Sequence, residues 1–264
     1  MSDGHRNYLK SIGRRKRLTA AARLSLLALL IAAWELAGRL GMADPFIVSS
    51  PVRVVRTIAS LYSSGELFSH IGTTFFETAA GFFAGTALGV AFAVLLWFCP
   101  FLERVLDPYL VVLNALPKIA LGPILIVWVG AGMEAIIVMT LLVSTVVTVM
   151  TVLAGFKETD PNKLKLMRTL GANRIQTFVK VVLPGSVPTV MSALKISVGM
   201  SWVGVIVGEY LVSKRGLGYL IVYGGQVFKL DLVMASIVIL CVLAAVMYCA
   251  VARLERAIDE RFGR

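Results

Sequence analysis

The chain of 264 residues is 58% hydrophobic and only 16% charged, with a formal net charge of +11. A soluble domain of this length carries more charge. The apolar residues here fall in blocks long enough to cross a bilayer, which takes ~20 residues of helix. Composition therefore excludes a soluble globular protein and predicts an all-α integral membrane protein. Its basic excess orients the chain in the bilayer, so nucleic acid is not an expected partner.

The first apolar block predicts a retained membrane helix rather than a cleaved signal. Trp34, Glu35 and Arg39 make a poor cleavage site, and further spans follow. Residues 1–23 and 253–264 are polar and predict tails on either side of a membrane domain over 24–252. The six predicted spans are 24–42, 71–98, 109–130, 134–155, 187–212 and 232–252.

Signals between the spans predict the connections. Ser50 and Pro51 suit the cap and first turn of an amphipathic surface helix. Residues 99–108 predict a short polar connection, and residues 213–231 predict a loop. Pro117 and Pro123 predict that the third span is broken or kinked.

Basic residues concentrate in both tails and in a polar segment over 156–185. The positive-inside rule then places both termini and this segment on the cytoplasmic side. The segment is long for a connection, which leaves two interpretations: a link that rests on the inner leaflet, or a docking element for a cytoplasmic partner.

Helix signals inside the segment favour docking. Asp160-Pro161 can start one helix, Gly171 can end it in a left-handed conformation, and Asn173 can cap a second. Pro184 and Pro188 are expected to end the unit before the fifth span.

The order of Gly171, nine residues, Val181, one residue and Leu183-Pro184 resembles the EAA loop of binding-protein-dependent ABC transporter permeases. Lys165, Leu166 and Met167 stand where that loop has Glu-Ala-Ala. Residues 116–132, 207–221 and 231–240 are similar to the sulfonate, taurine, nitrate and bicarbonate group of these permeases. The resemblance implies the type I importer permease fold, with six transmembrane helices and 156–185 as the cytoplasmic coupling insert.

The resemblance also implies partners. It predicts a homodimer in the bacterial inner membrane, with separate ATP-binding cassette ATPase subunits that hold ATP and Mg, and a periplasmic or lipid-anchored solute-binding protein. The chain has no Gly-Lys pair and hence no phosphate-binding Walker loop. We expect that the chain is not an enzyme and that it binds no cofactor or metal itself. The resemblance implies that it transports a small anion. A sulfonate or taurine is the first candidate, and nitrate, bicarbonate and an aromatic acid are the alternatives.

The resemblance places ATPase coupling on one set of residues in the insert. The apolar members are expected to enter a groove on the ATPase, with arginines at its rim. The set is Met167, Arg168, Leu170, Gly171, Arg174, Ile175, Phe178, Leu183 and Pro184.

Polar residues within the spans are candidates for the translocation path, because charges there are costly. They are Glu77, Lys118, Lys195, Trp202 and Glu209. For Lys195 and Glu209 the alternative is that each side chain reaches a membrane interface. A proton-coupled secondary transporter using Glu77 or Glu209 is the rival function, and a membrane scaffold is a third.

Gly81, Gly85 and Gly89 recur at spacings of four in the second span. Small residues at that spacing let helices approach closely. They predict either a dimer contact or packing within one subunit.

Overall fold

The computed structural model describes residues 3–42 and 44–261, and this part of the chain is helical without a strand. Two irregular turns, a 3₁₀ turn over Lys118–Leu121 and a π turn over Phe178–Val182, join α-helices. The α-helices are α1 Asp3–Arg39, α2 Pro45–Val48, α3 Pro51–Ser63, α4 Glu66–Phe98, α5 Pro100–Ala115, α6 Gly122–Val129, α7 Met133–Lys157, α8 Pro161–Thr169, α9 Arg174–Thr177, α10 Leu183–Val212, α11 Leu217–Gln226 and α12 Leu230–Arg261.

Five helical segments are long and apolar enough to cross a membrane. A sixth span results if α5 and the segment Lys118–Val129 are counted together, although an 89° bend separates them. The break predicted at Pro117 is therefore present. Alternating crossings place both ends of the described chain and helices α8 and α9 on one face, which we call the inner face, and α3 and α11 on the outer face.

The centre of the fold is the contact of α7 with α4 and α10. The glycines of α4 lie against small polar residues of α7: Gly81 faces Thr140, Gly85 faces Ser144, and Gly89 faces Thr148. On α10, Gly204 approaches the Thr140 backbone so closely that an added Cβ would lie 2.6 Å from the Thr140 Cα. Because missing side chains let these backbones come together, the three helices form one packed unit inside the subunit.

The start of the third span differs from expectation. Residues 100–108, predicted as part of a polar connection, belong to α5, which runs from Pro100 through Pro108 to Ala115. Pro100 lies in the first turn, where a helix needs no N–H, and Glu103 suits the positive end of the helix dipole. These residues therefore start a helix instead of joining two.

The prediction that Pro184 and Pro188 end the second helix of the insert is wrong. A single helical segment of 39 residues runs from Arg174 to Val212. The π turn precedes Pro184, and there the Leu183 N–H donates to the Phe178 carbonyl, five residues back. This wider turn makes room for the proline ring, so the helix passes through.

Three other segments, predicted as tails and a loop, contain helix in the structure. The basic N-terminal segment continues α1, which begins at Asp3, and the C-terminal tail continues α12 as far as Arg261. The predicted loop over 213–231 contains α11. By contrast, α3 begins as predicted, since Ser50 caps it by accepting from the Arg53 N–H and Pro51 opens its first turn.

Candidate functional site

The coupling segment, residues 160–183, is built as helix, tight turn and helix. Asp160 Oδ1 accepts from the Asn162 N–H at 2.8 Å, and Asn173 forms a reciprocal capping box with Gln176. Between the two helices, Gly171 has φ +71°, and the Ala172 N–H donates to the Met167 carbonyl at 2.9 Å. Both helix ends at the turn are thus satisfied, and the left-handed residue is the type that adopts this conformation without strain.

The tip of the coupling segment carries exposed apolar side chains. Leu166, Leu170 and Ile175 are 58%, 71% and 65% exposed, and they surround the Gly171 turn. Exposed bases lie beside them, among them Lys165 and Arg168. Met167 is only half-buried. An apolar patch with a basic rim is the composition expected of a protein-docking surface.

Phe178 was predicted among the ATPase contacts, but in the structure it is only 7% exposed. Its ring is buried in its own subunit, with ring centroids 4.9 Å from Trp97, 5.2 Å from Phe98 and 5.2 Å from Phe156. Ile175 and Phe178 lie three residues apart, but the ends of α4 and α7 cover only Phe178. Phe178 therefore fixes the coupling segment to the membrane helices.

Arg174, which was predicted at the rim, is exposed and also contacts its own subunit. Its Nη1 donates to the Phe98 carbonyl at 3.1 Å, at the last residue of α4. On the same face, Lys157 at the end of α7 pairs with Glu103 of α5. These contacts attach the coupling segment to α4 directly, and the continuous helix joins it to α10.

A second constellation, the outer clamp, consists of His70, Thr74 and Glu209 and holds the start of α11. The His70 Nδ1 accepts from the Gly216 N–H at 3.0 Å, Thr74 Oγ1 from the Leu217 N–H at 2.8 Å, and Glu209 Oε2 from the Gly218 N–H at 2.6 Å. Successive N–H groups at a helix start have no partner within the helix. The clamp satisfies three of them from α4 and α10.

Glycines are required where the clamp closes. Gly216 has φ +110°, and a Cβ on either Gly216 or Gly218 would collide with the Glu209 carboxyl group. Neither His70 nor Thr74 was predicted as a functional residue from the sequence. Their one local signal is their position four residues apart on one face of α4, whereas their partners lie more than 140 residues away along the chain.

The five predicted path residues do not form one group in the structure. Glu77 interacts with Glu209 at the outer end, and Glu77, Trp202 and Glu209 are all almost completely buried. Lys195 lies toward the inner face, where its Nζ is 2.8 Å from Glu255 Oε1 of α12. Lys118 is half-buried at the bend between α5 and α6, and its Nζ donates to the Asn114 carbonyl at 3.1 Å.

We expect Glu209→Ala to loosen the outer clamp, because it leaves the Gly218 N–H without its acceptor, a loss of about 1–3 kcal/mol. Glu209→Gln keeps an acceptor oxygen and should change little. Lys214 and Arg215 lie in the adjoining turn and are exposed, so trypsin added to the outer face reports the change. Cleavage after these residues should accelerate in the Ala variant only. Equal rates in all three proteins would contradict the clamp.

Comparison with known proteins agrees with the family resemblance described from the sequence. Residues 85–262 match the family described as the binding-protein-dependent transport system inner membrane component. A protein named for aliphatic sulfonate transport in Bacillus subtilis (strain 168) is 31% identical, over 92% of this chain and 88% of its own. The taurine transport system permease protein TauC of Escherichia coli (strain K12) is 24% identical, over 91% of this chain and 89% of its own.

Solved structures agree on the fold. A bacterial ABC transporter that imports the acidic polysaccharide alginate aligns with a TM-score of 0.65 at 15% identity, over 96% of this chain and 99% of its own. The inward-facing MetNI methionine ABC transporter aligns with a TM-score of 0.59 at 22% identity, over 74% of this chain and 95% of its own. The fold is that of a type I ABC importer permease, and the chain belongs to the binding-protein-dependent transport system inner membrane component family.

Proposed function

We propose that this chain admits a small organic anion, of the sulfonate or taurine type, driven by ATP hydrolysis on separate partner subunits. Permeases of this family are non-catalytic membrane-spanning subunits. In this proposal two copies of the chain form the membrane pore. An extracytoplasmic binding protein delivers the solute, and ATP-binding cassette subunits dock on the inner face.

The observation that supports ATP coupling most strongly is the coupling segment. It presents exposed Leu166, Leu170 and Ile175 at its tip, while Phe178 and Arg174 attach its base to α4 and α7. A simple connection needs neither feature. A coupling device needs both: an exposed patch that binds the partner, and an attachment that transmits the partner's movement to the membrane helices.

The coupling segment and the distribution of basic residues also support an orientation of the chain in the membrane. Both tails and residues 156–185 hold most of the basic residues, and the described parts of all three lie on the inner face. We therefore propose that this face is cytoplasmic, with the chain crossing the bacterial inner membrane from an N-terminus inside to a C-terminus inside.

The choice of an anion is supported by the names of the relatives and by Lys118. The two relatives above are named for aliphatic sulfonates and taurine. Lys118 places a base at the 89° break of a span, where irregular backbone can face a solute. No carboxylate pairs with Lys118 among the described residues. We keep nitrate, bicarbonate and aromatic acids as alternative solutes.

If Lys118 attracts the anion, Lys118→Met should lower the uptake rate by about tenfold, which is the effect of losing one charged contact. Lys118→Arg should keep most of it. Lys195→Met serves as the contrast, because Lys195 pairs with Glu255 and its loss should reduce stability more than anion selectivity. Uptake of taurine into proteoliposomes checks the three variants, and normal uptake by the Lys118→Met variant would remove Lys118 from the path.

The rival function is proton-coupled transport through Glu77 or Glu209. The outer clamp argues against Glu209 as the proton site, because its carboxylate accepts from the Gly218 N–H at the start of α11. The deciding experiment reconstitutes the permease with its ATPase and binding protein. ATP-dependent taurine uptake that an imposed pH gradient cannot replace is the expected result. Uptake driven by the gradient without ATP would overturn the proposal.

A further inference from the structure

An outer cleft of about 800 Å³ lies between α3, the start of α4, α11 and the start of α12. Ligand sites typically have volumes of ~300–1,000 Å³. This cleft lies on the face opposite the coupling segment, and Lys118 is not among its lining residues. Its walls combine two features: two cations with no acid of the described residues within ion-pair distance, and stacked aromatic rings.

The cations come from α3 and from the turn before α12. Arg53, Arg56 and Lys229 line the cleft, against the acids Glu66 and Asp231. Arg53 forms an ion pair with Asp231, with 2.8 Å between Nη2 and Oδ2, so this pair carries no net charge. Among residues 3–42 and 44–261, no acidic side chain lies within ion-pair distance of Arg56 or Lys229. Three cations against two carboxylates, Glu66 included, leave the cleft with a net positive charge.

The aromatic wall is a stack of three rings. Tyr219 lies between His70, at a centroid distance of 6.2 Å, and Tyr223, at 5.9 Å, with the rings within 13° and 21° of parallel. The His70 ring is oriented by the outer clamp, in which its Nδ1 accepts from the Gly216 N–H. The wall is thus pre-organised, which lowers the entropic cost of binding.

Phe228 adds an independent sign of function. It lines the cleft with 69% of its surface exposed and has φ +56°. The Lys229 N–H donates to the Gly224 carbonyl at 2.8 Å, and the Phe228 N–H to the Gly225 carbonyl at 3.4 Å. This is the helix-ending motif in which glycine usually occupies the left-handed position. A strained, exposed aromatic residue in place of glycine is a feature that stability alone does not explain.

We propose that the outer cleft binds a singly charged tetrahedral oxyanion attached to an apolar body, with Arg56 and Lys229 on the oxyanion and Tyr219, Tyr223 and Phe228 on the body. An organosulfonate arriving from outside has this chemistry, and so does the phosphodiester of an anionic lipid. The inference rests on the proposed function for the direction of transport. Binding itself needs neither ATP nor a partner.

The test measures binding of benzenesulfonate to the full-length protein in phosphatidylcholine nanodiscs at low salt. We expect saturable binding that weakens by about tenfold in Arg56→Gln and in Lys229→Gln. Lys214→Gln is the matched control, since it removes an exposed charge from the same face outside the cleft. Benzenesulfonamide, which is neutral, should bind much more weakly than benzenesulfonate. Absence of saturable binding, or equal affinity in the Lys229 and Lys214 variants, would overturn the proposal.

Two further arms sharpen the result. Phe228→Gly should raise or preserve thermal stability while weakening binding, and an unchanged affinity would remove Phe228 from the site. Adding phosphatidylglycerol to the nanodiscs tells the two sources apart: competition with benzenesulfonate assigns the cleft to lipid, and no competition assigns it to a free solute. A variant of the coupling segment can lose ATP-driven uptake and still bind benzenesulfonate. That result would show that binding in the outer cleft and ATP-driven transport are tested independently.

Discussion

Gly204→Ala should lower the stability of this protein by about 2 kcal/mol or more, although it adds a single methyl group. The new Cβ would lie 2.6 Å from the Thr140 Cα, and backbone cannot move aside as the end of a flexible side chain can. The α7–α10 contact would have to open, and with it the packed unit at the centre of the fold. For a chain of this size the loss corresponds to a fall of about 4–8 °C in the unfolding midpoint.

Gly199→Ala is the matched control. Gly199 lies on the same helix, has no neighbour within 4 Å of an added Cβ, and should tolerate or gain from the helix propensity of alanine. Thermal unfolding of both variants in the same detergent makes the comparison. Equal midpoints would show that α7 and α10 are not in close contact.

A double-mutant cycle tests the α4 glycines, which the sequence predicted to lie at a close helix contact. A Cβ on Gly85 would overlap Ser144 Oγ, while the Ser144 Cβ is 3.4 Å away. Ser144→Ala should therefore recover most of the stability that Gly85→Ala loses. Without such recovery, the effect of Gly85 would have to come from a contact outside the subunit, such as the dimer contact that the sequence left open.

Local signals in the sequence predicted the local structure of this chain well. Ser50-Pro51, Asp160-Pro161 and Asn173 begin helices, because a cap needs only its neighbours in the chain. Gly171 adopts the left-handed conformation for the same reason. Apolar run length predicted the spans, since the bilayer sets a minimum length for any helix that crosses it.

The features that the sequence did not predict depend on distant residues. Pro184 predicts a helix end, but Val182 is completely buried and Ser186 Oγ donates to the Gly155 carbonyl at 2.9 Å, so tertiary contacts hold the helix through the proline. Ile175 and Phe178 share one apolar face, yet aromatic residues of α4 and α7 bury only Phe178. The outer clamp takes two of its three acceptors from α4, and nothing near residue 216 predicts those two.

Leu170→Asp combined with Ile175→Asp should weaken ATPase binding by about a hundredfold while the spans stay inserted. The two side chains are exposed in the isolated subunit, so little folding energy is lost, and apolar anchors at the centre of an interface each contribute about a factor of ten or more. Thr169→Asp places a carboxylate on the same tip without removing an apolar contact and is the control. The measurement is co-purification of the ATPase, followed by substrate-stimulated ATP hydrolysis in proteoliposomes.

Substitutions at Gly171 separate the shape of the tip from its surface. Because no atom lies within 4 Å of an added Cβ, any penalty at Gly171 comes from the left-handed backbone and not from crowding. Asn tolerates that conformation, Ala resists it by about 1–2 kcal/mol, and the β-branched Val should resist it more. The ratio of ATP hydrolysed to taurine imported should therefore rise in the order Asn, Ala, Val. If the Val variant recruits the ATPase and transports at the normal ratio, the angle between α8 and α9 does not matter, and residues 160–183 are a connection rather than a coupling device.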